Sequence, residues 1–449
     1  MNKRRPNIFV LCYPHLGILD NWLPVVDMMN STENHLNFTL IIPNATIIKS
    51  FHEDNAVVKI SNNLFSTVLV HAHDNIWIKN TSVFNTVKWY RKNRTVLRLF
   101  DILKRLIKKK LFSYVLMYPL ILLRNKIYKK EFRFEYRELN GFISQTDILL
   151  YDIYTEDNYK VSDILQLFEN NKKYGLPHAI SMAAIEQKAP ALVNVHNKNN
   201  IVFYIYTKLQ REHFKVRYGL NINKIRIVGV PRHNHKWIKK IQEKSPKLPD
   251  NFDSNTIVIL SRHVDGHLSF DEKVETLKNI KKMFVDRLDM KVAIKLHPNE
   301  KQERIYANKI DRVYEDILGV NDYGVTWIYS DLHVFQLGKG KKLAISLNTG
   351  AVFDMIAIGV PCIEYVDTSI QYKNPGEHKE NITQFVIHGF IEGVSSYDDL
   401  TNFVDRWIDS PDQFSALSTH VYNEYFPTYK GILEKISSEI LNENNIVTT

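Results

Sequence analysis

The stretch SLNTGAVFDMIAIGVPCIEY, residues 346–365, restricts the fold more than any other. An apolar strand, Leu343 to Leu347, runs into a small polar elbow of Asn348, Thr349 and Gly350. A helix opens there, runs to about Ile358 and stops at Gly359, and Val360-Pro361 lead into a second apolar strand, Cys362 to Val366. Strand, short helix and strand in that order make a crossover of parallel-sheet type. A helix start presents unpaired N–H groups and the positive end of the helix dipole, so the elbow suits a phosphate, with the Thr349 hydroxyl as a further donor. The same residues would also serve as an ordinary crossover that holds nothing. A second elbow upstream, IKLHPNE at 294–300, favours the ligand. His297 leaves an apolar strand where a crevice would form, Pro298 keeps that strand from continuing, and Lys295 and Glu300 flank it. A histidine there can hydrogen-bond a departing phosphate, and Lys295 can supply charge, although strand alternation turns neighbouring side chains to opposite faces. Both elbows are expected on neighbouring strands of one sheet.

The rest of the chain alternates in the same way. Asn7 to Cys12 reads as a buried strand and 14–29 as a loop and an amphipathic helix, while Asn37 to Pro43 and Ala56 to Ile60 repeat the strand pattern. In open α/β sheets ligands gather beyond the carboxyl ends of the strands, which places His15 and Gly17 at a crevice. At 449 residues the chain exceeds what one core usually supports, so two domains are expected. The two cysteines, Cys12 and Cys362, lie far apart and suggest neither a disulfide framework nor a zinc site. A reducing cytoplasm fits. The first apolar run is too short for a signal peptide and has no cleavage site.

The net charge of +10 is concentrated in residues 88–130, which carry one acid, Asp101, among many Lys and Arg, with apolar residues at helical spacing. The apolar run within this block is too short to span a bilayer. Basic and apolar faces together suit a helix lying on an anionic membrane surface. A core hairpin with solvated charges is the alternative, and nucleic acid is disfavoured because no recognition motif accompanies the block.

Carboxylates follow the next strand. In TDILLYDIYTEDNYK (146–160), Asp152 ends an apolar run and Glu156 and Asp157 lie just beyond it. A partly desolvated carboxylate at a strand end can act as base or nucleophile, and a capped turn before a helix at Ser162 to Asn170 is the other reading. His178 stands in a loop before a possible helix, a strand is expected at Ala191 to Val195, and 229–255 reads as the interdomain connection, with Arg232 and its neighbouring histidines facing the cleft. A metal site there has no supporting carboxylate–histidine framework. After strand Thr256 to Leu260 comes SRHVDGH (261–267), which brings Arg262 to the same end of the second sheet.

Lys295, His297 and Pro298, then Ser346, Thr349 and Asp354, then Gly359 to Pro361, together resemble the donor-binding half of GT-B glycosyltransferases that build bacterial surface polysaccharides. The pattern is similar to that of CMP-sugar users (sialyl-, polysialyl- and Kdo transferases) and of CDP-glycerol polymerases, and GVPR (229–232) resembles the interdomain motif of the latter. The sialyltransferase acidic motif is matched by Glu156-Asp157-Asn158, with Asn in place of Gly, and the hydroxyl pair beside the phosphate by Asn348-Thr349. The resemblance implies an α/β protein of GT-B type, two Rossmann-like domains facing across a cleft. It places an acceptor-side domain at 1–230, a linker at 231–255, a donor domain at 256–425 and a final helix in 426–449 returning to the first domain. It also implies no metal and no cofactor beyond a nucleotide-sugar donor. That donor is expected to be a CMP-activated 2-keto acid, passed to a capsule or lipopolysaccharide acceptor, lipid-linked or oligosaccharide, at the cytoplasmic face of the inner membrane. Asp152, Glu156 and His297 are then the catalytic candidates. Arg262, Lys295, His297, Pro298, Glu300, Ser346, Asn348, Thr349 and Gly350 are candidates for the donor, and His15, Gly17 and His178 for the acceptor side. A CDP-polyol or UDP-sugar transferase, or a nucleotide-binding assembly protein without catalysis, remain as alternatives.

Overall fold

The computed structural model describes residues 6–33, 36–73, 76–108, 133–155, 158–178, 180, 200–218, 221–264, 268–298, 300, 312–365, 383–427, 431–444 and 446. Among them, runs such as NIFVL and ILLYD form strands that are buried along nearly their whole length, as parallel strands covered on both faces must be. The first sheet contains β1 (Asn7–Leu11), β2 (Asn37–Ile42), β3 (Thr67–His73), β4 (Ile76–Asn80), β5 (Arg133–Glu135), β6 (Ile148–Asp152), β7 (Lys172–Leu176), β8 (Ile201–Ile205) and β9 (Ile225–Ile227). Its order is β5-β4-β3-β2-β1-β6-β7-β8-β9, and β4 alone is antiparallel to its neighbours. The second sheet contains β10 (Thr256–Leu260), β11 (Lys291–Lys295), β12 (Trp327–Tyr329), β13 (Ala344–Ser346), β14 (Cys362–Tyr365) and β15 (Glu392–Val394), all parallel in the order β12-β11-β10-β13-β14-β15.

Each sheet reverses its direction of growth once, between β1 and β6 in the first and between β10 and β13 in the second. Such a reversal opens a crevice at the carboxyl ends of the strands, because the flanking connections leave in opposite directions. The strand order also corrects one expectation. The elbows after β11 and β13 are not on neighbouring strands; β10 runs between them, so Arg262 emerges between His297 and Asn348. Sequence proximity of the strands hid the fact that the crossover from β12 passes over β11 and β10.

A continuous apolar core joins the facing sides of the sheets. It includes Val10, Leu40 and Leu150 from the first, Val258, Leu260 and Ala293 from the second, and Trp237 and Ile241 from the helix His235–Gln242 between them. Each fully buried aliphatic side chain of this kind contributes about 1.5–3 kcal/mol. The helix Ile432–Glu443 packs on the helix Gly17–Thr32 of the first sheet, burying Leu433, Ile436 and Ile440. Its acids meet that sheet: Glu443 takes Arg226 at 2.6 Å and the Tyr174 hydroxyl at 2.8 Å, and Glu439 takes the Tyr204 hydroxyl at 3.0 Å.

Several element expectations change. Ala56 to Ile60 is not a strand: Asn55 caps a helix, Ala56–Leu64, by accepting the N–H groups of Val57 and Val58. Its β-branched residues mimic a strand, but Ala56, Val57, Ile60, Ser61 and Leu64 are buried at helical spacing. The helix after Asp152 is Tyr159–Leu167, starting earlier than Ser162 because the Asn158 side chain caps it at the Lys160 N–H, 3.0 Å. The helix after the Asn348 elbow is only Val352–Ile356. The strand expected at Ala191 to Val195, residues 109–132 of the basic block, and Glu156 and Asp157 lie outside the described residues. The start of that block forms the helix Val83–Lys108. Among the described residues, no helix is long and apolar enough to cross a membrane.

Candidate active site

The crevice of the first sheet is built from the ends of β1, β6 and β7. Asp152 closes β6 almost fully buried, 2% exposed. Its Oδ1 accepts the Tyr154 N–H at 2.8 Å and its Oδ2 meets His178 Nδ1 at 2.8 Å. His178 follows β7 by two residues and keeps its side chain 28% exposed. Burial alone would lower the His178 pKa, but the charge and hydrogen bond of Asp152 outweigh it and hold the imidazole above its ordinary value. The ring is clamped edge-on by His15 at 5.5 Å and Tyr154 at 5.3 Å, and Tyr154 is stacked on Phe214. His15 leaves β1 and Gly17 opens the next helix; the Gly17 N–H donates to His15 Nδ1 at 3.2 Å. The first sheet thus presents a histidine whose partner is a buried carboxylate.

Opposite it, β10, β11, β13 and β14 end together. Asn348 adopts a left-handed conformation, φ 52°, one that asparagine tolerates better than most residues. Three contacts hold it there. Its carbonyl accepts Arg262 Nη1 at 2.6 Å, its N–H donates to the Glu364 carboxylate, and the next N–H, of Thr349, donates to Ser346 Oγ at 3.2 Å. Burial pushes the Glu364 carboxyl up to about 8, against the pull of Ser346, the Asn348 N–H and Arg262. On the β11 side the His297 ring stacks on His263 at 5.2 Å, and the His297 N–H donates to Glu300 Oε2 at 3.3 Å. Glu300 is anchored in turn by Lys273 at 2.5 Å and the Tyr314 hydroxyl at 2.9 Å, while Lys273 also donates to the Arg262 carbonyl at 3.1 Å. One buried lysine therefore ties the two strand ends together.

Burial above all lowers the His15 pKa to about 4, and the charges of His178 and of His297 from the second sheet act the same way. Behind them the connection between the sheets is fixed by a buried polar cluster. Arg232 donates to Asp354 at 2.8 Å and to the Asn21 side chain at 2.5 Å; His233 meets the same Asp354 oxygen at 2.7 Å; His333 meets Asp20 at 2.9 Å. Burial would raise the Asp354 pKa, but the charge of Arg232 and the hydrogen bonds of His233 and Arg232 hold it well below the usual carboxylate range. Asp354, part of the donor-side motif, is thus spent on the arginine of GVPR rather than on a ligand.

Measured against the sequence, His15, His178 and Asp152 come together at the carboxyl end of the first sheet, and Arg262, His297, Asn348 and Thr349 lie at the carboxyl end of the second, with Pro298 and Gly350 exposed at its elbows. Three donor-side candidates have internal partners: Glu300 braces His297, Ser346 braces Thr349, and the Lys295 ammonium donates to the Leu332 carbonyl. The oxygens of Asp152, the first catalytic candidate, meet the Tyr154 N–H and His178. Sequence reasoning missed Lys273, Tyr314 and Glu364; a lysine amid the charged helix Phe270–Ile280 gives no sign that it is buried. Among the described residues no group of three or more His, Cys, Asp or Glu is arranged to hold a metal ion. A cavity of about 490 Å³, lined in part by Asn7, Thr39, Lys79 and Phe142, opens at the other end of the first sheet and holds none of the site residues.

No protein-family model matches the chain, and no curated protein is significantly similar to it. Solved structures are similar along the whole length. A UDP-N-acetylglucosamine 2-epimerase aligns with a TM-score of 0.53 at 10% identity, covering 100% of this chain and 98% of its own. MnaA of S. aureus in complex with UDP gives 0.51 at 11% identity, covering 99% and 98%. A variant of the wall teichoic acid polymerase TagF soaked with CDPG gives 0.54 at 9% identity, covering 99% and 90%. Likeness at this identity carries the fold alone: the chain has the α/β architecture of the GT-B proteins, two mostly parallel sheets flanked by helices.

Proposed function

We propose that this protein is a glycosyltransferase that moves a group from a nucleotide-linked donor to an acceptor hydroxyl. The observation that supports the reading is a histidine held by a buried carboxylate at the end of one sheet, and Arg262 on the Asn348-Thr349 elbow beside His297 at the end of the other, with His15 close enough to feel both His178 and His297. In this reading His178 Nε2 takes the proton of the acceptor hydroxyl while Asp152 holds Nδ1–H and stabilises the imidazolium that forms. With a sugar donor the acceptor oxygen forms its bond to the anomeric carbon as the bond from that carbon to the phosphate oxygen breaks; with a CDP-polyol it forms its bond to the outer phosphorus as the bond from that phosphorus to the CMP oxygen breaks. The electron pair leaves with the nucleotide phosphate, where Arg262, His297 and Thr349 offset the charge. Asp152 is a positioning residue, and Glu156, four residues on in the sequence, is the other candidate carboxylate. The proposed chemistry uses side-chain cations and imidazoles and calls on no metal.

The five-residue helix after the elbow adds little dipole, so phosphate binding rests on Arg262, Thr349 and His297. One solved neighbour is a complex with UDP and another was soaked with CDPG, which accords with a UDP-sugar or a CDP-polyol as donor; a CMP-linked 2-keto acid such as Kdo or sialic acid is proposed on the sequence resemblance alone. The acceptor is proposed to be a capsule or lipopolysaccharide glycan, lipid-linked or oligosaccharide, at the cytoplasmic face of the inner membrane. Lys88, Lys92 and Arg94 are exposed along the helix Val83–Lys108 and would face the anionic lipid, whereas Arg91 is paired with Glu53 at 3.0 Å.

Nucleotide release from CMP-sialic acid, CMP-Kdo, UDP-N-acetylglucosamine and CDP-glycerol tests the reading. One donor class is expected to turn over, with His178→Ala reducing the rate by about 10²–10⁴, the range for a lost general base. Failure of every donor to react, or turnover untouched in His178→Ala, overturns the proposal.

A further inference from the structure

His15 stands between the two halves of this chemistry, and the backbone fixes its protonation. Its Nδ1 accepts the Gly17 N–H, and the ring lies so close that a Cβ at Gly17 would meet Nδ1 at 3.0 Å. An imidazole that accepts at Nδ1 carries its proton on Nε2. A proton on Nδ1 would set two N–H groups against each other. It would also place a cation at the amino end of the helix Gly17–Thr32, where the dipole opposes positive charge. His178 on one side and His297 from the opposite sheet oppose that cation too, and the Asp152 carboxylate is engaged by His178. The helix itself offers little to a ligand. The Gly17 N–H goes to His15 Nδ1, the Ile18 N–H to the His15 carbonyl at 3.2 Å and the Leu19 N–H to the Leu16 carbonyl at 3.0 Å. What this loop presents is the Nε2 edge of the imidazole.

We infer that His15 is a neutral hydrogen-bond donor in the reaction, its Nε2–H meeting an oxygen of the transferred group between His178 and His297. The inference rests on the transferase reading above and assigns His15 to the transferred group rather than to the acceptor. A neutral donor of this kind strengthens as charge grows on its acceptor oxygen, yet keeps its proton, since losing it would leave an imidazolate. It also leaves no permanent cation to hold the anionic product. With Nε2 already protonated and the Nδ1 lone pair engaged by the Gly17 N–H, it offers no lone pair to compete with His178 for the acceptor proton.

Two experiments test this. The first is NMR of the full chain labelled with ¹⁵N-histidine, recorded from pH 5 to 8, with His15→Gln to assign the resonance. The expected result is the neutral Nε2–H tautomer throughout; an imidazolium or an Nδ1–H tautomer in that range overturns the inference. The second is turnover. His15→Gln, which keeps an N–H donor, should hold kcat within a few-fold, whereas His15→Ala should lose about 10²–10³ in kcat at unchanged nucleotide affinity. A His15→Ala enzyme that keeps kcat, or loses nucleotide affinity in step with it, overturns the role. A wild-type protein that releases nucleotide from no donor removes the transferase reading, and the catalytic part of this inference with it, whatever tautomer the spectrum shows.

Discussion

Replacing Lys273 by methionine should unsettle the donor side of the cleft more than any surface change. The ammonium is fully buried, 2.5 Å from a Glu300 side chain that is only 5% exposed. It also donates to the Arg262 carbonyl and lies 4.9 Å from the centre of the Tyr314 ring. Methionine fills a similar volume but leaves the Glu300 charge buried without its cation, a defect that costs about 3–5 kcal/mol. At about 2–4 °C per kcal/mol for a domain of 150–250 residues, the affected transition should fall by about 6–20 °C in a thermal scan. The double variant Lys273→Met with Glu300→Gln removes the orphaned charge, and its amide oxygen can still accept one of the two hydrogen bonds, from the Tyr314 hydroxyl or the His297 N–H, that the two carboxylate oxygens accept. It should therefore recover most of the loss, as replaced buried pairs commonly do. Because the pair joins the β10 and β11 ends, nucleotide affinity should stay reduced even in the recovered double variant. A Lys273→Met protein that melts with the wild type, or a double variant as unstable as the single, would refute the reasoning.

Other perturbations follow from the same contacts. Asp152→Asn should keep the fold and nucleotide binding but lose about 10² or more in kcat, since the amide cannot hold His178 as a carboxylate does; equal loss of affinity in calorimetry would count against it. Glu364 keeps its proton in the fold up to about pH 8, whereas an unfolded glutamate loses it near pH ~4.3. The native state therefore holds more protons between those values, so this group's contribution to stability falls as pH rises across that window. Glu364→Gln should flatten that slope in thermal scans from pH 4 to 9, and an unchanged slope would assign it elsewhere. Lys92→Glu with Arg94→Glu should weaken binding to phosphatidylserine-containing vesicles, and wild-type binding should fade as salt screens it; indifference of the wild type to such vesicles at low salt would remove the membrane proposal.

The parallel sheets were legible because their strands are short apolar runs bounded by turn residues, a local pattern that tertiary structure only had to collect. The elbows at His297 and Asn348 were legible for the same reason: each breaks an apolar run with residues that cannot continue it. Pairings between distant residues were not. Nothing in the sequence marks Asp152 as the partner of His178, or Asp354 as the partner of Arg232, because both contacts depend on strand order. Lys273 reads as a surface lysine, and its burial among Glu300, the Arg262 carbonyl and the Tyr314 ring depends on residues distant in the sequence. Ala56 to Ile60 misled for a local reason: β-branched residues favour strands on average, but an asparagine cap and apolar residues at helical spacing decide the outcome here.

The central claim is that one sheet holds a nucleotide while the other supplies the base, and calorimetric titration with UDP, CDP and CMP tests it most directly. At least one nucleotide should bind the wild type, Arg262→Ala should abolish or greatly weaken that binding, and His178→Ala should leave it nearly unchanged. A wild-type protein that binds none of the three, or a His178→Ala protein that loses as much affinity as Arg262→Ala, would contradict it.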